Sequence, residues 1–531
     1  MYVLFTVVRL QLVQVRGARK LAKAGEIWTD ALQCLGRLRA ERLMGPYYFI
    51  RASWVCFFAL FVLGAKQTVL ADSRVNIVLI LAGDLGYGDV GVYNPSSKIP
   101  TPHLDQLAAQ GVRFSDAHSP SSVCTPTRYG ILTGRYAWRT TLKKGVLEGY
   151  SPALIEKDRV TLPSLLRRQG YRTTGIGKWH LGLGNAEKTD YSQPLRPGPN
   201  AAGFDEFFGI PASLDMPPYL FFENERVVEA PSASIAASEM RRNGGEGFWR
   251  AGAIAPTFKH EAVLPTLTQR AVRFIGLQSP DQPFFLYLPL TAPHTPWMPT
   301  AEFRGKTGVD YYGDFVVQVD DTVGQVLKAL DESGLAGNTL VVFTSDNGAH
   351  WLPEDIAKWG HRANGNWRGQ KADIWEGGHR IPLILRWPGS IKPGSRSDQL
   401  VCLTDLMATI AALTGTGLLE DSAEDSLDFS SVLLGRKTKA GLRDTIVHHS
   451  GDGTFAIRQG HWKLAMALGS RGFSLPKELV PKAGEAEGQL YNLRDDPQEE
   501  HNLWLREPKI VARLTTLLEK LKADGHSRNV R

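Results

Sequence analysis

The 531-residue chain carries 61 Lys and Arg against 54 Asp and Glu, a formal charge of +7, with 43% hydrophobic and 22% charged residues. That composition is globular and excludes a disordered or low-complexity chain, and the length suggests one large domain with a smaller one. Ten of the basic and four of the acidic residues lie within residues 1–72, leaving 51 against 50, so the near-neutral body has no electrostatic footprint for nucleic acid or an anionic membrane.

Residues 1–43 resemble neither a signal nor a domain. From Met44 the chain reads as a short polar start with Arg51, an apolar run from Ala52 to Ala65, and Val69-Leu70-Ala71 as a small-residue cleavage site before Asp72. The run is short for a bilayer span and suits a signal-peptide core. The expectation is therefore an N-terminal extension and signal peptide over 1–71, a true start at Met44, and an exported protein, periplasmic or secreted, without a stable membrane anchor. Cys124 and Cys402 are then the cysteines of the body, too few for a disulfide framework.

Asn76-Ile77-Val78-Leu79-Ile80-Leu81 is a continuous apolar run, predicting a strand buried on both faces, and it ends in Ala82-Gly83-Asp84. Similar runs recur at 284–288 and 339–344. Between them Phe315, Val316, Val319, Val323, Val326, Leu327 and Leu330 share one helical face. The alternation predicts a large mixed, mostly parallel α/β sheet covered by helices on both faces. Ligands gather beyond the carboxyl ends of such strands, so Asp84 and Asp346-Asn347, each after a strand, are expected at one rim. Residues 415–439 read as looser. Short strand-like runs at 455–458 and 462–466 are followed by a charged helix over about 507–524. The division is expected at 72–440 for a main domain and 441–531 for a small C-terminal subdomain.

Five segments carry chemistry. Cys124-Thr125-Pro126-Thr127-Arg128, extended through Leu132-Thr133-Gly134-Arg135, resembles the signature of the sulfatase family. The segment 170–180, ending Lys178-Trp179-His180, resembles the second sulfatase signature, Ala292-Pro293-His294-Thr295-Pro296 the family's histidine turn, Thr344-Ser345-Asp346-Asn347-Gly348 its second metal segment, and 368–378 its lysine segment. Their occurrence in family order identifies the resemblance. It implies an alkaline-phosphatase-like fold with a small C-terminal antiparallel sheet plus helix, a catalytic role for 72–440, and an arylsulfatase-like sulfuric ester hydrolase. A maturation enzyme would convert Cys124 to formylglycine, an aldehyde whose hydrate attacks sulfur.

The resemblance also implies roles. Asp84, Asp346, Asn347 and the modified Cys124 would ligate Ca²⁺ or Mg²⁺, hard ions suited to oxygen donors. Arg128 would hold the hydrate, and Lys178 and Lys371 the sulfate oxygens. His294 would protonate the leaving group and His180 accept the second hydroxyl proton. Lys178, His294 and Lys371 would thus be the substrate-binding set. His361 and His379 flank the lysine segment and are expected near the pocket, with specificity set by the 216–248 loop and the stretch around His361. Trp249, Trp297, Trp351 and Trp367 are candidate sugar-stacking or core residues. One position departs from the family: Gly83 stands where a metal-ligand aspartate is usual. The function implied is release of sulfate from an aryl or carbohydrate sulfate. A phosphonate or phosphodiester hydrolase of the same superfamily, and a catalytically impaired sulfated-glycan-binding relative, are the alternatives.

Overall fold

The computed structural model describes residues 74–238, 248–436 and 442–528. The expected signal peptide and start at Met44 lie outside the described residues. Strand β1 (Asn76–Gly83) is buried along its whole length, as an unbroken apolar run requires. It lies at the centre of a ten-stranded sheet. The other strands are β2 (Val112–Phe114), β3 (Arg172–Lys178), β4 (Glu206–Ile210), β5 (Phe222–Glu223), β6 (Arg226–Val227), β7 (Phe284–Pro293), β8 (Thr339–Ser345), β9 (Leu383–Arg386) and β10 (Ser395–Ser397). Their spatial order is β10-β2-β9-β8-β1-β7-β3-β4-β5-β6.

The central five, β8-β1-β7-β3-β4, run parallel, with Leu79 opposite Tyr287 on one side and Val342 on the other. Strand β9 is antiparallel to both its neighbours, and so is β5, which makes the sheet mixed. The predicted helix is α3 (Asp310–Glu332), and its buried face contains all seven apolar positions read from the sequence. It packs against α2 (Val263–Gly276) and β7. Helix α1 (Cys124–Thr133) is buried at every residue.

A second sheet follows the chain order β11 (Thr445–His449), β12 (Phe455–Gln459), β13 (Trp462–Ala465), β14 (Gln489–Asn492), antiparallel throughout. Leu514 and Leu518 of α4 (Pro508–Asp524) pack with Ile446, Ile457, Leu464 and Leu490, and the same cluster takes in Tyr136, Leu400 and Cys402. Charges cross this seam as well: Asp116, paired with Arg380 at 2.9 Å on the main-sheet side, meets Arg458 at 2.7 Å, and Lys463 meets Glu376 at 3.1 Å. Cys402 is a buried free thiol. Among the described residues no helix is long and apolar enough to cross a membrane.

Candidate active site

Neighbouring parallel strands deliver side chains to one rim. Asp346 and Asn347 follow β8, Asp84 follows β1, His294 follows β7, and Lys178 ends β3 with His180 just beyond. Parallel strands end together, so residues far apart in sequence become neighbours in space. Helix α1 aims its first residue, Cys124, into this rim. Val123 caps the helix in an extended conformation, and Pro126 sits in the first turn, where an amide N–H would have no helical partner. Gly134, left-handed at φ 63°, ends the helix and returns its N–H to the Gly130 carbonyl.

Cys124 Sγ lies 4.0 Å from Asp84 Oδ1, and ligating atoms of Asp84, Cys124 and His294 all fall within 4.8 Å of one another. Asn347 Nδ2 donates to Asp84 Oδ1 at 2.7 Å, and the Asp84 N–H donates to Asp346 Oδ1 at 3.1 Å. Asp84 adopts φ 62° and His180 φ 56°, left-handed conformations that cost about 1–3 kcal/mol and cluster at functional sites.

Cations balance these carboxylates. Arg128 is fully buried. Its Nε and Nη2 donate to Asp346 Oδ2 at 3.1 and 2.7 Å, and Nη1 donates to the Lys178 carbonyl at 3.0 Å, tying the ends of β8 and β3 together. Lys371 Nζ donates to Asp84 Oδ2 at 2.8 Å and lies 2.8 Å from His294 Nε2. Burial would lower the Lys371 pKa, but Asp84 outweighs it and the ammonium is held above its usual range. Burial and neighbouring Lys371 push His294 well below its ordinary pKa, and burial with Lys178 does the same to His180. Both imidazoles are therefore neutral.

Their hydrogen bonds indicate the tautomers. His294 Nδ1 is 2.6 Å from the Thr295 carbonyl, so Nδ1 carries the proton and Nε2 accepts from Lys371. His180 Nε2 is 2.7 Å from the Leu147 carbonyl, which leaves Nδ1 as a buried acceptor with no hydrogen-bond partner. Burial raises the Cys124 thiol pKa and Asp346 adds to the rise, against Lys178 and Lys371. A thiol kept protonated is a poor nucleophile.

The oxygen donors fit a hard divalent cation. Asp84 and Asp346 converge beside Asn347 Oδ1, a buried oxygen with no hydrogen-bond partner. Gly83 leaves space where another carboxylate would enter: a Cβ there would meet nothing closer than 3.6 Å, with Arg128 Nη2 at 3.7 Å.

Residues 75–416 match the family model "Sulfatase". The chain belongs to the sulfatase family. This sulfatase is 34% identical to an N-acetylgalactosamine-6-O-sulfatase of Bacteroides thetaiotaomicron, over 86% of this chain and 96% of that one. It is 36% identical to arylsulfatase A of Bos taurus, over 82% and 84%. A solved structure from work on glycosaminoglycan metabolism by Bacteroides thetaiotaomicron, designated a 6S-sulf, superposes with a TM-score of 0.75 at 34% identity, covering 85% of this chain and all of the other. The sulfatase is thus a sulfuric ester hydrolase acting on carbohydrate or aryl sulfates, in a family that generally uses formylglycine and a divalent cation.

Other expected residues lie elsewhere. His361 is buried, with Nε2 2.8 Å from Asp89 Oδ1, and His379 is buried between His118 and Lys463. Neither is hydrogen-bonded to a residue of the rim. The turn at Gly369 (φ 84°) sends Lys371 inward while His361 remains behind it on Asp89. Trp297 and Trp351 are core residues against Tyr312, Trp249 stacks on His260, and Arg380 lies over Trp367. Sequence reasoning missed Ser213, whose Oγ is 3.1 Å from His294 Nδ1 and 3.4 Å from Lys178 Nζ. Its only sequence signal is its place just after a strand end.

Proposed function

We propose that the sulfatase cleaves the sulfate ester of a carbohydrate, using formylglycine made from Cys124 by a maturation enzyme and a cation, Ca²⁺ or Mg²⁺, held by Asp84, Asp346 and Asn347. The observation that carries this is the convergence of Cys124, paired carboxylates and buried cationic side chains at the ends of adjacent strands. When present, formylglycine supplies the nucleophile and the cation neutralises charge on it and on the ester.

The chain's own residues do the rest. Lys178 and Lys371, both buried, hold the anionic sulfate oxygens in a low-dielectric pocket, where such contacts strengthen as charge develops. Arg128 fixes Asp346 and carries positive charge beside Cys124. His180 Nδ1, neutral and unpartnered, accepts a proton near position 124. Lys371 and His294 act as a couple. The ammonium donates to neutral Nε2, so the couple carries one transferable proton, on Lys371, beside the leaving oxygen. Ser213 orients that imidazole.

The carbohydrate assignment draws on the similarity to the N-acetylgalactosamine-6-O-sulfatase, which spans 86% of this chain and 96% of that one. Residues 72–440 are assigned the catalytic role and 441–531 a supporting subdomain. The protein is assigned to an exported, periplasmic or secreted, setting, in keeping with sulfated glycans as substrates. The test is sulfate release from N-acetylgalactosamine 6-sulfate and from 4-nitrophenyl sulfate by protein whose Cys124 peptide has been shown by mass spectrometry to carry the aldehyde. Release from the sugar ester is expected, and Cys124→Ala is expected to abolish it while the melting temperature stays constant. Release by a protein with unmodified Cys124 would refute the formylglycine step.

A further inference from the structure

Two residues past Ser213, the same turn places a carboxylate that nothing above uses. Asp215 is 5% exposed, and its Oδ1 is buried without any hydrogen-bond partner. Its other oxygen, Oδ2, accepts from Arg250 Nη1 at 2.5 Å. The pair closes the base of the 216–248 loop: the Arg250 N–H and Nη1 each reach the Asp215 carbonyl at 3.1 Å, and the Arg250 carbonyl accepts from Tyr219 Oη at 2.7 Å. A clamp of that kind needs only one carboxylate oxygen. Leaving the second buried and unpaired costs about 1–3 kcal/mol, more for a charged group, and such an orphan in a native site calls for an explanation.

Position supplies one. Ser213 bonds His294 and Lys178, so this turn forms a wall of the reacting pocket. Asp215 follows two residues on in that turn, and although burial would raise its carboxyl, neighbouring positive charge, Arg250 and Lys371 included, keeps it below the usual carboxylate range. A fixed acceptor there, next to an arginine whose side chain is 45% exposed and retains N–H donors, matches the alternating donors and acceptors of a polyol. A phenol leaving group offers nothing to that pair.

We propose that Asp215 and Arg250 form a hydroxyl-recognition subsite, in which Asp215 Oδ1 accepts from a sugar hydroxyl neighbouring the sulfated position and the Arg250 fork donates to an adjacent oxygen. This rests on the carbohydrate-sulfatase reading above and makes Asp215 a specificity residue of it. Lacking the hydroxyl, a substrate would leave the carboxylate buried and unpaired, the arrangement that discriminates most strongly.

The experiment uses aldehyde-confirmed full-length protein, wild type and the variants Asp215→Asn and Arg250→Lys. Each is assayed for kcat/KM on 4-nitrophenyl sulfate, N-acetylgalactosamine 6-sulfate and monodeoxy analogues of the sugar sulfate. One deoxy analogue is expected to be roughly 10- to 100-fold poorer for the wild type, as for loss of a hydrogen bond to a charged group. In Asp215→Asn that penalty should largely vanish, because hydroxyl and carboxylate are coupled. Loss on the sugar ester should exceed loss on the aryl ester by about tenfold. Arg250→Lys, a change at a half-exposed side chain, should shift the same ratio even if Asp215→Asn folds poorly. Equal losses on aryl and sugar esters with a displaced pH profile would overturn the proposal and make Asp215 a modulator of His294. Equal wild-type turnover of all deoxy analogues would overturn it too. Absence of release from every ester would instead sink the underlying carbohydrate-sulfatase reading.

Discussion

Restoring a carboxylate at position 83 should tighten cation binding. Gly83 lies in β1 opposite Pro293, outside the left-handed region, so Gly83→Asp introduces no backbone strain. Its Cβ would touch the Leu290 carbonyl and His294 Cβ at 3.6 Å, ordinary contact distances, so no neighbour needs to move. Unit charges about 4 Å apart interact by about 4 kcal/mol at an effective dielectric of about 20. Repulsion from Asp84 and attraction to Arg128, 3.7 Å from the Cβ, then nearly cancel. A dication supplies twice that attraction, and desolvation removes most of it. The net gain should resemble a hydrogen bond between charged groups, about 1.5–3 kcal/mol, or roughly 10- to 100-fold in Kd. Calorimetric titration of metal-stripped wild type and Gly83→Asp with Ca²⁺ and with Mg²⁺ measures this without reference to turnover. Melting temperature against cation concentration gives an independent reading. Equal affinities in the two proteins would refute the placement of the cation beside Gly83.

Further outcomes follow from other buried charges. In metal-stripped protein Arg128→Met strands Asp346 as an uncompensated buried carboxylate, and urea unfolding should show a loss of about 3–5 kcal/mol; a loss under about 1 kcal/mol would mean Asp346 is paired otherwise. Ser213→Ala should lower kcat about tenfold with folding intact, since it removes a contact to the His294 imidazole; an unchanged kcat would remove Ser213 from the machinery. His118, His379 and His448 are buried and held neutral below the usual histidine pKa, chiefly by burial, with Lys463 opposing charge on the last two. As pH falls below about 6.5 the unfolded chain takes up protons that the folded one refuses, so stability should drop by up to about 1.4 kcal/mol per pH unit for each histidine. Melting curves between pH 7.5 and pH 5, in the same window, would show a flat profile if the three were charged in the folded state.

The parts of the molecule that were legible are those where one physical signal dominates. Unbroken apolar runs mark β1, β7 and β8 because strands covered on both faces admit little else, and the three-and-four spacing marks α3. Strand β3 was hidden, since Gly175 and Gly177 break its apolar pattern. Glycine is there for space: a Cβ at 175 would lie 2.6 Å from the Phe207 ring, and one at 177 would lie 2.0 Å from the Pro289 carbonyl oxygen. The rim residues were readable because their motifs are contiguous. Ser213 and Asp215 belong to no motif and acquire meaning only from the fold, where the turn after β4 brings Ser213 to His294 and pairs Asp215 with Arg250. His361 misled because closeness in sequence to Lys371 is undone by the turn at Gly369.

The most direct test is the rate of sulfate release from N-acetylgalactosamine 6-sulfate measured against the fraction of Cys124 carried as aldehyde, in preparations matured to different extents. A rate proportional to that fraction, vanishing with it, is the expected result. Release at an undiminished rate from protein with intact Cys124 thiol, or none from fully converted protein supplied with Ca²⁺ or Mg²⁺, would contradict it.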